Sequence, residues 1–124
     1  MKVLIADDNK RVRELLKKLL SSIRGIQFFE STSGEETIEF YLKEKPDLVL
    51  MDIVMNRLDG IEATRKIISA DKTAKIIIVS QLPEDEYRQE AIDAGAIEFI
   101  NKENLFGLPK YIESFLSKYK IKTR

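Results

Sequence analysis

Short apolar runs alternating with stretches of helical periodicity constrain this chain more than any other feature. The runs lie at residues 3–6, 26–29, 47–52, 76–80 and 97–100. Short runs rich in Val, Ile and Leu read as strands buried on both faces. After the first run, Val12, Leu15, Leu16, Leu19, Leu20 and Ile23 recur at helical spacing. Asp8 or Asn9 is placed to cap that helix and Gly25 to end it. Ser33 and Glu36 form a capping-box pattern opening a second helix, which runs toward Lys45 and is stopped by Pro46. Asp59 and Gly60 open a third, carrying Ile61, Thr64, Ile67 and Ile68. Pro83 starts a fourth over 84–94, ended by Gly95. The last holds Leu108, Ile112, Phe115, Leu116 and Tyr119, with Pro109 in its first turn.

Strictly alternating strands and helices with short connections predict an α/β fold. The expected architecture is a five-stranded parallel sheet in the flavodoxin-like order 2-1-3-4-5, with right-handed crossovers and helices on both faces. The run at 76–80 is the most β-branched and belongs in the sheet interior; the mixed run at 26–29 belongs near an edge. With 124 residues and no repeat or linker, residues 1–124 read as one domain.

Two absences narrow the chemistry. Without cysteine there is no disulfide, thiolate nucleophile or Cys-ligated metal, and without histidine no imidazole base or ligand. Lys plus Arg and Asp plus Glu both number 21, so no broad field favours nucleic acid or an anionic membrane. Lys118, Lys120, Lys122 and Arg124 read as a solvated helix end complementing the helix dipole. The apolar runs are too short to span a bilayer, and the apolar start is too short for a signal peptide. A cytoplasmic location with no membrane contact is therefore expected.

In such a sheet, ligands gather beyond the carboxyl ends of the strands. There this sequence places Asp7 and Asp8 after the first strand, Asp52 at the end of the third, Ser80 at the end of the fourth, and Asn101 and Lys102 after the fifth. Crowded carboxylates repel one another unless a cation joins them. Mg²⁺, a hard cation that takes carboxylate, water and phosphate oxygens, suits the set. Lys102 adds a point charge and Ser80 a hydroxyl, so the group could stabilise a phosphoryl group transferred to a carboxylate nucleophile. Singly, each residue has a plainer explanation: Asp8 as a helix cap, Lys102 as a surface lysine, Phe99 as core. Their joint placement at four strand ends is what argues for a site.

These stretches, 4–8, 50–55 with Asp59 and Gly60, 78–80 and 95–102, resemble the receiver domains of two-component response regulators, in order along essentially the whole chain. The resemblance implies that Asp52 accepts a phosphoryl group from a sensor histidine kinase, a phosphotransfer protein or a small phosphodonor. Asp8 would bind Mg²⁺ directly, Asp7 mainly through water, and Asp52 and the Val54 carbonyl would complete the protein's share. Ser80 and Lys102 would hold the phosphoryl oxygens. Phe99 occupies the aromatic switch position, coupled to movement of Ser80. The surface of the fourth helix, fifth strand and last helix would then change to control an effector, an output domain or a homodimer. The chain would act as a phospho-acceptor and not as an enzyme on other substrates.

The sequence also departs from that pattern. Asn56 and Glu103 stand where such domains often carry proline, and Gln81 is bulkier than the usual small residue. Val54 and Leu82 are both apolar where a polar side chain could position attacking water, so slow self-hydrolysis of the phosphoryl group is expected. The departures give weight to a phosphorylation-independent interaction module, while the intact acidic pair, Asp52, Ser80 and Lys102 weigh against it. A flavin-binding protein is rejected because Asp7 and Asp8 would repel a phosphate at that loop. An aspartate-nucleophile phosphatase is rejected because its Asp-x-Asp pattern after the first strand is missing.

Overall fold

The computed structural model describes residues 1–56, 58–119 and 121. Five parallel strands form one sheet in the order β2-β1-β3-β4-β5. They are β1 (Lys2–Ala6), β2 (Gln27–Ser31), β3 (Leu48–Met51), β4 (Ile76–Ser80) and β5 (Glu98–Asn101). The helices between them are α1 (Lys10–Leu19), α2 (Gly34–Glu44), α3 (Gly60–Ala70), α4 (Glu84–Asp93) and α5 (Leu108–Lys118). Both expectations about strand position hold: the mixed run forms edge strand β2, and β4 is interior and buried along its whole length.

Side-chain alternation along the strands divides the core into two layers. Leu4, Val49, Met51, Ile76 and Ile78 pack with Ile61, Ile67, Ala91 and Phe99 on the side of α2, α3 and α4. Val3, Ile5, Leu48, Leu50, Ile77 and Val79 pack with Leu16, Leu108, Ile112 and Phe115 on the side of α1 and α5. Each large aliphatic side chain fully removed from water contributes about 1.5–3 kcal/mol relative to exposure. The continuous burial of β1, β3 and β4 therefore sets the register firmly, because a one-residue slip would exchange the two layers.

Local details refine the sequence reading. The cap of α1 is Asn9, whose side chain accepts from the Arg11 and Val12 N–H groups; Asp8 is left exposed. The helix closes at Leu20, several residues before Gly25, which lies instead in the turn leading to β2. Ser33 caps α2 as expected, but Glu36 reaches back to the N–H of Thr32 rather than that of Ser33. Pro83 is the N-cap of α4, one position before the first turn. Gly95 follows α4 at φ 113, a conformation L side chains rarely adopt. A 3₁₀ segment, Lys102–Gly107, precedes α5 and was not apparent from periodicity. Lys118 ends α5, whereas Lys120, Lys122 and Arg124 lie outside the described residues. Among the described residues no helix is long and apolar enough to cross a membrane.

Candidate functional site

The sheet brings the expected residues to one rim. The ladder carries the two acidic strand ends into place: the Asp52 N–H donates to the Ala6 carbonyl at 2.9 Å, and the Asp7 N–H to the Ser31 carbonyl at 3.0 Å. Behind Asp52, α3 begins against the strand at Gly60, where a Cβ would lie 1.8 Å from the Asp52 carbonyl oxygen. Only glycine permits that approach. On the far side, β5 pairs Asn101 with Ser80 and delivers Lys102 to the rim immediately afterwards.

Lys102 is the centre of the site. Its Nζ lies 2.9 Å from Asp7 Oδ2 and 3.2 Å from Asp52 Oδ2. Asp7 and Asp52 are buried, Asp8 is exposed, and a carboxylate oxygen from each of the three lies within 4.8 Å of the others. The second oxygens are also held, since Asp7 Oδ1 accepts from the Asn9 N–H and Asp52 Oδ1 from the Ile53 N–H, both at 2.8 Å. Burial pushes the Asp52 carboxyl up from its ordinary range; Lys102 opposes this and Asp7 adds to it. Burial works against the Lys102 ammonium too, but its hydrogen bond to Asp7 and the charge of Asp52 outweigh that cost, and its pKa is raised.

Three carboxylates around one ammonium leave an excess of negative charge in a partly dehydrated pocket. The donors are all hard oxygens converging on one point, so the set fits a small divalent cation rather than a soft metal. Asp7, Asp8 and Asp52 are thus brought together with Lys102.

Ser80 is fully buried, and its Oγ accepts from the Leu82 N–H at 3.2 Å. Val54 lies in the turn two residues beyond Asp52 with 59% of its surface exposed. Phe99 is buried in the layer beneath α4 and is not at the rim. Two supporting sets of contacts were not legible in the sequence. Arg13 donates through Nη1 to the Asp7 carbonyl oxygen and through Nε to Glu30 Oε1, both at 2.7 Å. Its position one turn after the Asn9 cap was the only available signal. Asn101 was placed at the strand end, but its side-chain bonds to Leu82 and Glu103 could not be read from spacing.

The comparisons agree with this geometry. A family model described as the response regulator receiver domain matches residues 3–110. The chemotaxis protein CheY of Thermotoga maritima is 41% identical over 101 residues, covering 82% of this chain and 84% of that protein. The response regulator GacA of Pseudomonas aeruginosa is 34% identical over 103 residues; the match covers 82% of this chain but 48% of GacA. The crystal structure of the response regulator domain of Thermotoga maritima CheB superposes with a TM-score of 0.83 at 30% identity, covering 98% of each chain.

The chain belongs to the response-regulator receiver family. Receiver domains act as phospho-acceptor switches in two-component signalling, interact with histidine kinases and output domains, and usually bind Mg²⁺ through an acidic cluster. The pocket of Asp7, Asp8 and Asp52 fits the phosphorylation site of that class.

Proposed function

We propose that residues 1–124 act as one receiver domain, a Mg²⁺-dependent switch that takes a phosphoryl group on Asp52. The observation that carries this reading is the single Lys102 ammonium shared by Asp7 and Asp52, with Asp8 alongside. Asp7, Asp8, Asp52 and the Val54 carbonyl would hold Mg²⁺. When bound, the ion would offset the carboxylate charge and draw phosphoryl oxygens into the pocket. An Asp52 carboxylate oxygen attacks phosphorus in line with the phosphorus–nitrogen bond of a phosphohistidine. The new oxygen–phosphorus bond forms as that bond breaks, and its electron pair returns to the imidazole nitrogen. Lys102 then pairs with the phosphoryl oxygens, and Ser80 turns its hydroxyl from Leu82 toward them. The chain catalyses its own phosphorylation and slow dephosphorylation and has no other substrate.

Movement of Ser80 would vacate space for Phe99. A cavity of about 280 Å³ on the α4–β5–α5 side is lined by Glu84, Arg88, Phe99, Asn101 and Tyr111, so a new Phe99 rotamer would reshape that face. The helix there is lightly anchored: Ala91 is its one fully buried residue, and Arg88 ties it to Glu98 and the Phe99 carbonyl. This is the character of an element that moves. The switched face would engage an effector, an output domain or a second phosphorylated copy, with a sensor histidine kinase or phosphotransfer protein as the donor. A cytoplasmic setting, without direct contact to nucleic acid or membrane, belongs to the same reading.

The test is intact mass after incubation with phosphoramidate, with and without Mg²⁺, on wild type and Asp52→Asn. One Mg²⁺-dependent phosphoryl adduct, absent from the variant, is expected. Wild type without an adduct would favour a phosphorylation-independent interaction module. Following the adduct after donor removal tests the apolar pair Val54 and Leu82; slow decay is expected, and loss within seconds contradicts that part.

A further inference from the structure

Lys102 is the second of three consecutive residues held by one hydrogen-bonded bridge. The residue before it, Asn101, uses both ends of its side chain. Asn101 Oδ1 accepts from the Glu103 N–H at 2.8 Å, which caps the 3₁₀ segment that Lys102 begins. Asn101 Nδ2 donates to the Leu82 carbonyl oxygen at 3.1 Å. The Leu82 N–H in turn donates to Ser80 Oγ at 3.2 Å. None of these bonds belongs to the sheet ladder, whose last β4–β5 pair is Ser80 with Asn101. Beyond that pair, a continuous path runs from the buried Ser80 hydroxyl through the main chain of Leu82 and the Asn101 amide to the peptide after Lys102.

We propose that Asn101 is a positioning residue of the phosphoryl site: it fixes the start of the segment carrying Lys102 and ties that segment to the loop carrying Ser80. The inference rests on Asp52 as the acceptor and adds a residue that touches neither phosphorus nor metal. The chemistry of the side chain supports it. A cap needs only an acceptor, and Ser or Asp supplies one as well as Asn does. The second arm needs a donor on a separate atom with enough reach for the Leu82 carbonyl, and asparagine supplies acceptor and donor together. Lys102 and Ser80 approach the same pocket from neighbouring strands, so a shared tether holds the ammonium and the hydroxyl in a fixed relation while neither is bonded to a phosphoryl group.

Asn101→Ser separates the two arms, because serine keeps the cap but cannot span to Leu82. Asn101→Asp keeps the cap and sets a carboxylate oxygen against the Leu82 carbonyl. Three readouts apply to each variant: the unfolding midpoint, Mg²⁺ affinity by calorimetry, and the initial rate of phosphoryl adduct formation from phosphoramidate at saturating Mg²⁺. Asn101→Ser is expected to unfold and bind Mg²⁺ as wild type does, while its adduct rate falls about tenfold, within the loss that ångström-scale misplacement causes. Asn101→Asp is expected to show the same loss of rate, and Glu103→Ala, which keeps its N–H, no loss. A wild-type rate in both Asn101→Ser and Asn101→Asp reduces Asn101 to a helix cap and overturns the proposal. Wild type that forms no adduct overturns the acceptor reading, and this inference with it.

Discussion

The two ends of the sheet use aspartate in opposite ways. At the amino end, Asp71 beyond α3 has both carboxylate oxygens supplied with donors. Tyr41 Oη donates to Oδ2 at 2.8 Å, and the Thr73 N–H and hydroxyl donate to Oδ1 at 3.0 and 2.6 Å. Those bonds, those of Thr73 first and then Tyr41, hold its pKa down at about 2. At the carboxyl end, Asp52 has a donor on each oxygen too, yet burial dominates and its carboxyl is pushed up. The difference lies in company and solvent. Asp71 is a carboxylate near water that meets neutral donors and, at 3.8 Å, the Lys45 ammonium, whereas Asp52 shares one ammonium with Asp7 beside a third carboxylate. The amino end is electrostatically complete as it stands. The carboxyl end is arranged for positive charge from outside, which is what a site that trades stability for function looks like.

The carboxyl end is most vulnerable to a steric change. Gly60→Ala drives a methyl group into the Asp52 carbonyl oxygen and the Met51 side chain. The backbone cannot yield without moving α3 or the strand end, so a loss of about 3 kcal/mol is expected from urea unfolding, at the upper end for overpacking. Retained stability would mean that the carboxyl rim is looser than its contacts imply. Asn9→Ala comes next. It removes the α1 cap beside Asp7 and should cost about 1 kcal/mol in the same measurement.

Tyr41→Phe is the smallest change and sharpens the amino end alone. Removing the hydroxyl should raise the Asp71 pKa from about 2 toward its ordinary value of 3.8, read by NMR titration of the carboxyl carbon. The sign follows from linkage. A carboxyl depressed in the folded state adds stability that is present above its unfolded pKa and lost as pH falls through its folded one. Wild type should therefore lose this contribution between about pH 4 and pH 2, and Tyr41→Phe should lose less there. Phosphoryl adduct formation at neutral pH should not change in this variant, because Tyr41 lies at the opposite end from the site.

Most of this arrangement was legible beforehand, for a physical reason. Strand burial and helical periodicity are local signals repeated along the chain; right-handed crossovers narrow the strand orders, and 2-1-3-4-5 is one of the common doubly wound ones that remain. The gathering of Asp7, Asp8, Asp52, Ser80 and Lys102 was legible because they stand where strands end, and in a parallel sheet those ends share a rim. What stayed hidden depends on contacts between distant segments. Asp8 and Asn9 are equivalent as candidate caps until the fold sets Asn9 against the Arg11 and Val12 N–H groups and Asp8 beside Asp7 and Asp52. Gly25 is a plausible helix end until packing closes α1 earlier at Leu20. Arg13 reaches the Asp7 carbonyl, and Asn101 reaches Leu82, across gaps that only the assembled sheet defines.

The most direct test of the contrast between the two ends is an amide NMR spectrum recorded on addition of Mg²⁺ and then of phosphoramidate. Perturbation is expected to centre on Asp7, Asp8, Asp52, Val54, Ser80 and Lys102, extending to Phe99 and Asn101 with the phosphodonor, while Tyr41, Asp71 and Thr73 stay unmoved. Shifts centred on the amino end, or none at the carboxyl end, would contradict the contrast.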